Sequence, residues 1–286
     1  MKKQTRIFTC LLALLLLCCA CSAERGEEPP ISETPNSGDH AVGDNRDGTD
    51  AAAPSENVVD TDSGAPVVYM TTDISSKGLM AIYDALDWTP GSHVAVKLST
   101  GEPGSNYLRT DLIGELVQSL ENPTIVECNT AYGGSRSSTA MHYQVAEDHG
   151  YTGIAAVDIM DEEGSVSLPV EGGSNLTENY VGTHFSNYDS FLVLSHFKGH
   201  AMAGFGGAIK NISIGISSSE GKSHIHSGGT GGSMWSGDQD AFLESMAEAG
   251  KSVVEALDGQ ILAAHMEYIV DSCPIIQAKG PRSGHA

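Results

Sequence analysis

The sequence predicts an α/β domain: a mainly parallel sheet with crossover helices and a small β-hairpin insertion. Three observations predict it. Short apolar runs alternate with segments whose apolar residues recur at helical spacing, from about residue 67 to 270. Strand–helix alternation of that kind closes as parallel strands joined by covering helices. Between Gly164 and Ser186 the alternation stops, and two short strand-like runs flank turns. The compact part, residues 65–286, is long enough to bury a sizeable core.

Taken in order, VVYM (67–70) reads as a strand, and ISSKGLMAIYDALDWT as a helix with Leu79, Ile82 and Leu86 at helical spacing. HVAVKLS (93–99) is a strand and TDLIGELVQSLEN (110–122) a helix. TIVECN (124–129), STAMHYQVAEDHGY (138–151) and GIAAVDIM (153–160) repeat that alternation. SVSLPV and NYVGTHFSN are the hairpin insertion, and SFLVLSHF (190–197) resumes as a buried strand. AGFGGAIKNISIG reads as a glycine-led helix. At 238–258, Phe242, Met246, Ala249, Val253 and Leu257 share one helical face, with Asp238 placed to cap the start and Gly259 the end. ILAAHMEYIV (261–270) is the last strand, and no internal repeat is present.

Composition narrows the function. The 286 residues carry 15 Lys+Arg against 37 Asp+Glu, a formal charge of −22. A chain this acidic does not hold a phosphate backbone through bulk charge, so a nucleic-acid partner is disfavoured. A hydrophobic fraction of 40% is too low for a multi-span membrane protein and too high for full disorder.

The charge is also uneven. Residues 1–20 hold Lys2, Lys3 and Arg6 and no acid, followed by a short apolar run from Ile7 to Leu17. That pattern reads as a secretory signal, because the run is too short to span a bilayer. Its end resembles a bacterial lipobox, in which Cys21 after Ala20 is the candidate for lipidation; an ordinary cleaved signal is the alternative. Residues 21–64 read as a disordered acidic tether, with eleven acids and two bases from residue 22 onward and almost nothing to bury. The expected location is a membrane-anchored, extracytoplasmic lipoprotein. Of six cysteines, only Cys128 and Cys273 fall in the domain. A single disulfide and two separate thiols are both open.

Four groups of polar residues stand at ends of strands. Ser195 to Asn211 contains His196, Lys198, His200, Gly204, Gly206, Gly207 and Lys210. An extended backbone puts His196, Lys198 and His200 on one side, and the glycines let a ligand approach the backbone N–H groups. His224 and His226 form an HxH pair able to ligate a divalent metal, or else sit in a polar surface loop. Asn129, Thr130 and Arg136, with His142 downstream, can hold a polar ligand, or else stabilise their own loop. Lys97, inside an apolar strand, needs a partner or a ligand.

These residues also carry a resemblance. KLSTGEPG, NTAYGGSR with His142 and HGY, and SHFKGHAMAGFGGAIKN resemble the bacterial and archaeal family called domain of unknown function 362, whose members are often labelled iron–sulfur centre proteins. The likeness covers about residues 65–272 and implies an α/β domain of uncharacterised activity. No CxxCxxC run is present, so an iron–sulfur cluster is not expected in this chain. The order His200, Lys210, His226 is distantly similar to the nickel-pincer lactate racemases. That likeness would make Lys210 a cofactor contact, and His200 and His226 metal ligands or proton carriers.

The sequence reading is therefore an exported lipoprotein whose pocket, at the C-terminal strand edge, acts on a small anion with a metal or cofactor. His200, Lys210, His226 and Lys198 are the expected catalytic groups. Lys97, Asn129, Thr130, Arg136, Gly204, Gly206 and Gly207 are the expected ligand contacts, and His196, His200, His224 and His226 the metal set. A non-catalytic lipoprotein binding a small ligand or metal is the alternative. An iron–sulfur redox protein is the least favoured.

Overall fold

A computed structural model describes residues 68–266 except Ser236 and Gly259, with positions 264–266 described by backbone alone. The expectations for Cys21, the signal, the whole tether, Cys273 and the helix stop at Gly259 lie outside the described residues.

The first helix, α1 (Ser76–Ala85), is capped by the Ser75 hydroxyl, which accepts from the Gly78 N–H at 3.1 Å. Then come β1 (Val94–Lys97), α2 (Thr110–Ser119), β2 (Thr124–Glu127), α3 (Thr139–Asp148) and β3 (Ala156–Ile159). The antiparallel hairpin β4 (Ser165–Pro169) and β5 (Glu178–Gly182) is the expected insertion. After β6 (Ser190–His196) a second small hairpin forms from β7 (Lys198–His200) and β8 (Gly204–Gly206). A short helical turn, α4 (Ala208–Lys210), widens at once into a π-helical segment (Asn211–Gly215). Helices α5 (Ser219–His226) and α6 (Gln239–Ala256) lead to β9 (Ile261–Met266).

Five strands form one parallel sheet in the order β3-β2-β1-β6-β9. From β1 the chain winds outward to β2 and β3, then returns to the other side of β1 as β6 and β9. Between β1 and β6 the winding direction reverses. Loops leaving the C-terminal ends of those strands diverge there and open a crevice.

Alternation along β1 assigns its two faces. Val94 and Val96 pack with Ile113, Leu116 and Leu192 against α2, while Ala95 packs with Phe191, Val193, Ile216 and Val253 against α6. Lys97 follows Ala95 on that second face, at the strand end, and is fully buried. The site's first constraint is therefore an ammonium group inside the core. Helix α6 starts as expected: the Asp238 carboxylate accepts from the Asp240 and Ala241 N–H groups at 3.0 and 3.2 Å.

Two elements differ from expectation. Residues 68–70 form no strand, and Val68 and Met70 are each 87% exposed. Apolar runs become strands only where a neighbouring edge accepts their hydrogen bonds, and none pairs with them. The glycine-led segment is also not helical from Ala203. Gly204–Gly206 pairs with Lys198–His200 instead, because Gly204 takes φ 72°, which lets the hairpin turn, and helix begins only at Ala208. Among the described residues no helix is long and apolar enough to cross a membrane.

Candidate functional site

A cavity of about 340 Å³ opens at the reversal point, lined from the ends of β1, β2 and β6, from β7, α4 and α5, and from the 131–136 and 234–235 loops. Lys97 forms its wall. The Lys97 ammonium meets Glu127 Oε1 at 2.8 Å, Asn211 Oδ1 at 2.7 Å and the Leu98 carbonyl at 2.8 Å, so all three of its donors are used. The Nζ lies so close to Gly215 that a Cβ there would stand 2.7 Å from it, so the π-helical segment needs a glycine at this point. Asn211 is held in turn, its amide donating to the Leu194 carbonyl at 3.2 Å and to Ser195 Oγ at 3.1 Å.

Glu127 joins the two sides of this wall. Arg136 lies 3.6 Å from Glu127 Oε2 and 2.9 Å from Glu102 Oε1. Burial alone would oppose a charge on Glu127, but Lys97, Arg136 and Lys222 outweigh it and hold the carboxyl at about 2. Lys222, on α5, donates to the Ser217 carbonyl at 2.6 Å and the Cys128 carbonyl at 3.5 Å.

Five cationic residues line the cavity (Lys97, Arg136, Lys198, Lys210 and Lys222) against one acid, Glu127. Lys198 and Lys210 make no ion pair among the described residues. Burial, then repulsion from Lys198 and Lys222, brings Lys210 down to about 8. An anion entering here would relieve that repulsion.

Two of the three histidines lining the cavity, His200 and His226, are fixed in opposite tautomers by their backbone partners. Nδ1 of His200 faces the N–H groups of Met202 and Ala203, at 3.2 and 3.1 Å, so it accepts and the proton sits on Nε2. Nδ1 of His226 faces the Lys222 carbonyl at 2.7 Å, so it donates and its Nε2 keeps the lone pair. The His226 ring also stacks on Phe242, centroids 4.7 Å apart. Burial, followed by nearby Lys210 and His226, keeps His200 neutral down to about 4. His226 is lowered too, by burial first and then by Lys210. His196 lines the cavity and is lowered by burial and by Lys198.

Most of the expected site is brought together: Lys97, Thr130, Arg136, His196, Lys198, His200, Gly206, Gly207, Lys210 and His226 all line this cavity. Asn129, Gly204 and His224 do not. Asn129 turns inward, donating to Thr139 Oγ1 at 2.9 Å and facing His142 Nδ1 at 3.3 Å. His142 is buried against Thr100 Oγ1 at 2.8 Å, and burial pushes it down to about 4. Gly204 makes the hairpin turn. His224 points away from His226 and rests on the Tyr180 ring, 5.2 Å between centroids.

The reason is local. Residues two apart share a side in a strand or extended loop but lie on opposed sides of a helix, and α5 is helical. Lys222 and His226, four apart, share the inner face instead. That spacing would have revealed Lys222 once the segment is read as a helix. Glu127, Asn211, Tyr132, Met202, Met234 and Trp235 are among the other lining residues to which the sequence reading gave no role. An acid ending a buried strand beside one that ends in Lys97 is the signal for Glu127. Asn211 closes the Ser195–Asn211 stretch without a role of its own there, and nothing local marks Trp235.

The expected metal set does not fit. His224 is elsewhere, His200 spends its Nδ1 lone pair on backbone donors and carries its proton on Nε2, and the surrounding cations oppose a further one. Among the described residues, the trio with ligand atoms close enough for one ion is Asp158, Glu162 and His184, none of which lines the cavity. Cys128 is the only described cysteine; its thiol donates to the Ile216 carbonyl at 3.3 Å, and burial pushes it up to about 12.

The racemase likeness rests on the spacing of His200, Lys210 and His226 alone. No curated protein matches the chain. A family model described as "Domain of unknown function (DUF362)" matches residues 94–286, which takes in every strand of the sheet and every residue of the cavity. The chain belongs to the family of domain of unknown function 362.

Proposed function

We propose that this domain is an enzyme moving a proton on a small anionic substrate, and that a lipid on Cys21 tethers it outside the cytoplasm. The observation that carries the reading is the cavity's charge. In a chain of −22, five cations face one acid in the cavity, and three of those cations have no carboxylate partner among the described residues: Lys222, whose ammonium donates to backbone carbonyls, and Lys198 and Lys210. Lys198 and Lys210 would hold the anionic head. His226 Nε2, neutral near pH 7, would take a proton, and His200 Nε2–H would donate to the oxygen where charge develops. Lys97, Glu127 and Arg136 would keep the wall in place. The arrangement favours an anion over the metal centre that the histidine pattern alone suggested.

Two measurements test this. Calorimetric titration of the full chain with lactate, malate and glycerol phosphate should show binding to at least one. Lys198→Gln with Lys210→Gln should weaken it roughly 10- to 100-fold. In D₂O, NMR should show loss of the Cα–H signal of the bound acid, and His226→Gln should stop that exchange without removing binding. Affinity unchanged in the double variant, or no anion bound at all, overturns the reading. Binding without exchange leaves a non-catalytic anion-binding lipoprotein. For the anchor, acyl labelling should be lost in Cys21→Ser.

A further inference from the structure

The cavity is built in two layers, and burial separates them. Its floor is charged: Lys97 is fully buried, and Arg136 and Lys222 are each 7% exposed. Its rim is aromatic: Tyr132 is 45% exposed and Trp235 is 69% exposed, yet both line the same space. Met202 and Met234 lie between, half-buried. A large aromatic side chain left this exposed loses the burial that ordinarily stabilises it. Two of them at the mouth of one charged cavity need a common explanation.

Volume supplies the second argument. At about 340 Å³ the cavity falls in the range of roughly 300–1,000 Å³ usual for pockets that hold small organic ligands. A bare carboxylate or phosphate head fills only a small part of that. The remainder faces Tyr132, Met202, Met234 and Trp235, which offer ring faces and thioether surface but no charge.

We propose that the substrate is an aromatic acid: an anionic head on Lys198 and Lys210 above the charged floor, and a planar ring against Trp235 and Tyr132 at the rim. This deepens the anion-binding reading and rests on it. The anion supplies attraction and orientation, while the ring supplies selectivity among anions.

The test uses matched pairs of probes on the full chain: phenylacetate against acetate, and phenyl phosphate against methyl phosphate, by calorimetry at pH 7. The aromatic member of at least one pair should bind about tenfold or more tightly than its partner, the scale expected of one ring stacked on an aromatic side chain. Trp235→Ala should erase that difference while leaving the small anion's affinity unchanged. Because Trp235 is exposed, the variant should fold, and a circular dichroism melt checks it. Equal affinity within every pair that binds overturns the aromatic proposal and leaves the anion reading standing. Aromatic preference retained in both Trp235→Ala and Tyr132→Ala also overturns it. No binding by any of the four probes overturns both.

Discussion

The two sides of the cavity use the same residue types for different ends. On the β1–β2 side, Lys97 and Arg136 meet Glu127 and Glu102, and hydrogen bonds take up the donors of Lys97. On the β7–α4 side, Lys198 and Lys210 face no carboxylate among the described residues, and Lys210 falls to about 8. A charge with a fixed partner inside a protein is committed to structure. A charge without one is available to a ligand. Counting lysines does not separate the two sides, but following each ammonium to its acceptors does.

The largest effect that can break this contrast is on the paired side. Glu127→Ala leaves the Lys97 ammonium fully buried with its counter-ion removed, and should cost about 3–5 kcal/mol in urea unfolding. A loss below about 1 kcal/mol would mean the wall is not held by that pair. Lys210→Gln, by contrast, should change stability little and anion affinity strongly.

The next effect is a pH dependence. His142 has a folded-state value of about 4, below its ordinary 6.5, because burial opposes its charged form. As pH falls, the unfolded chain takes up the proton first. Stability from this group is therefore complete above pH 6.5 and is lost on the way down to about pH 4. The loss is on the order of 3 kcal/mol. His142→Gln should flatten the slope of stability against pH in that window, whatever its overall cost. His200, also near 4, contributes to the same window and should leave part of the slope behind. Glu127 acts lower: its stabilisation is present above its ordinary value of 4.5 and fades toward about 2.

The smallest effect sharpens the contrast within one helix. His224→Ala removes a ring resting on Tyr180 and should shift stability by no more than about 0.5 kcal/mol, with anion affinity unchanged. His226→Ala, two residues on, takes away a buried ring stacked on Phe242 and a hydrogen bond to Lys222, and should alter both. Equal behaviour of the two variants would contradict the helical geometry of α5.

These comparisons show where the sequence was legible. HVAVKLS, TIVECN, SFLVLSHF and ILAAHM (261–266) each hold a parallel strand, because each packs apolar residues within a few positions and burial rewards that directly. Val68–Met70 are as apolar but pair with no strand among the described residues, so they stayed irregular. The HxH pair misled for a related reason: its meaning depends on whether the backbone around it is extended or helical. Lys97 was rightly marked as needing a partner, but the choice between a ligand and Glu127 lay beyond local pattern. The π-helical segment had no sequence signature, yet it places Asn211 against Lys97.

By itself, the sequence determined the α/β class, the hairpin insertion, the cap at Asp238, the family, and the concentration of basic residues at strand ends. All of these are set by periodicity, propensity or composition within windows of ten or twenty residues. Only the tertiary structure decided which charges are spent and which are left over. Lys97 finds Asn211 across 114 positions of chain, and Arg136 finds Glu102 across 34. Contacts at such separations are fixed by strand order, which brings β1 beside β6 and opens the cavity between them, and no local window contains that information.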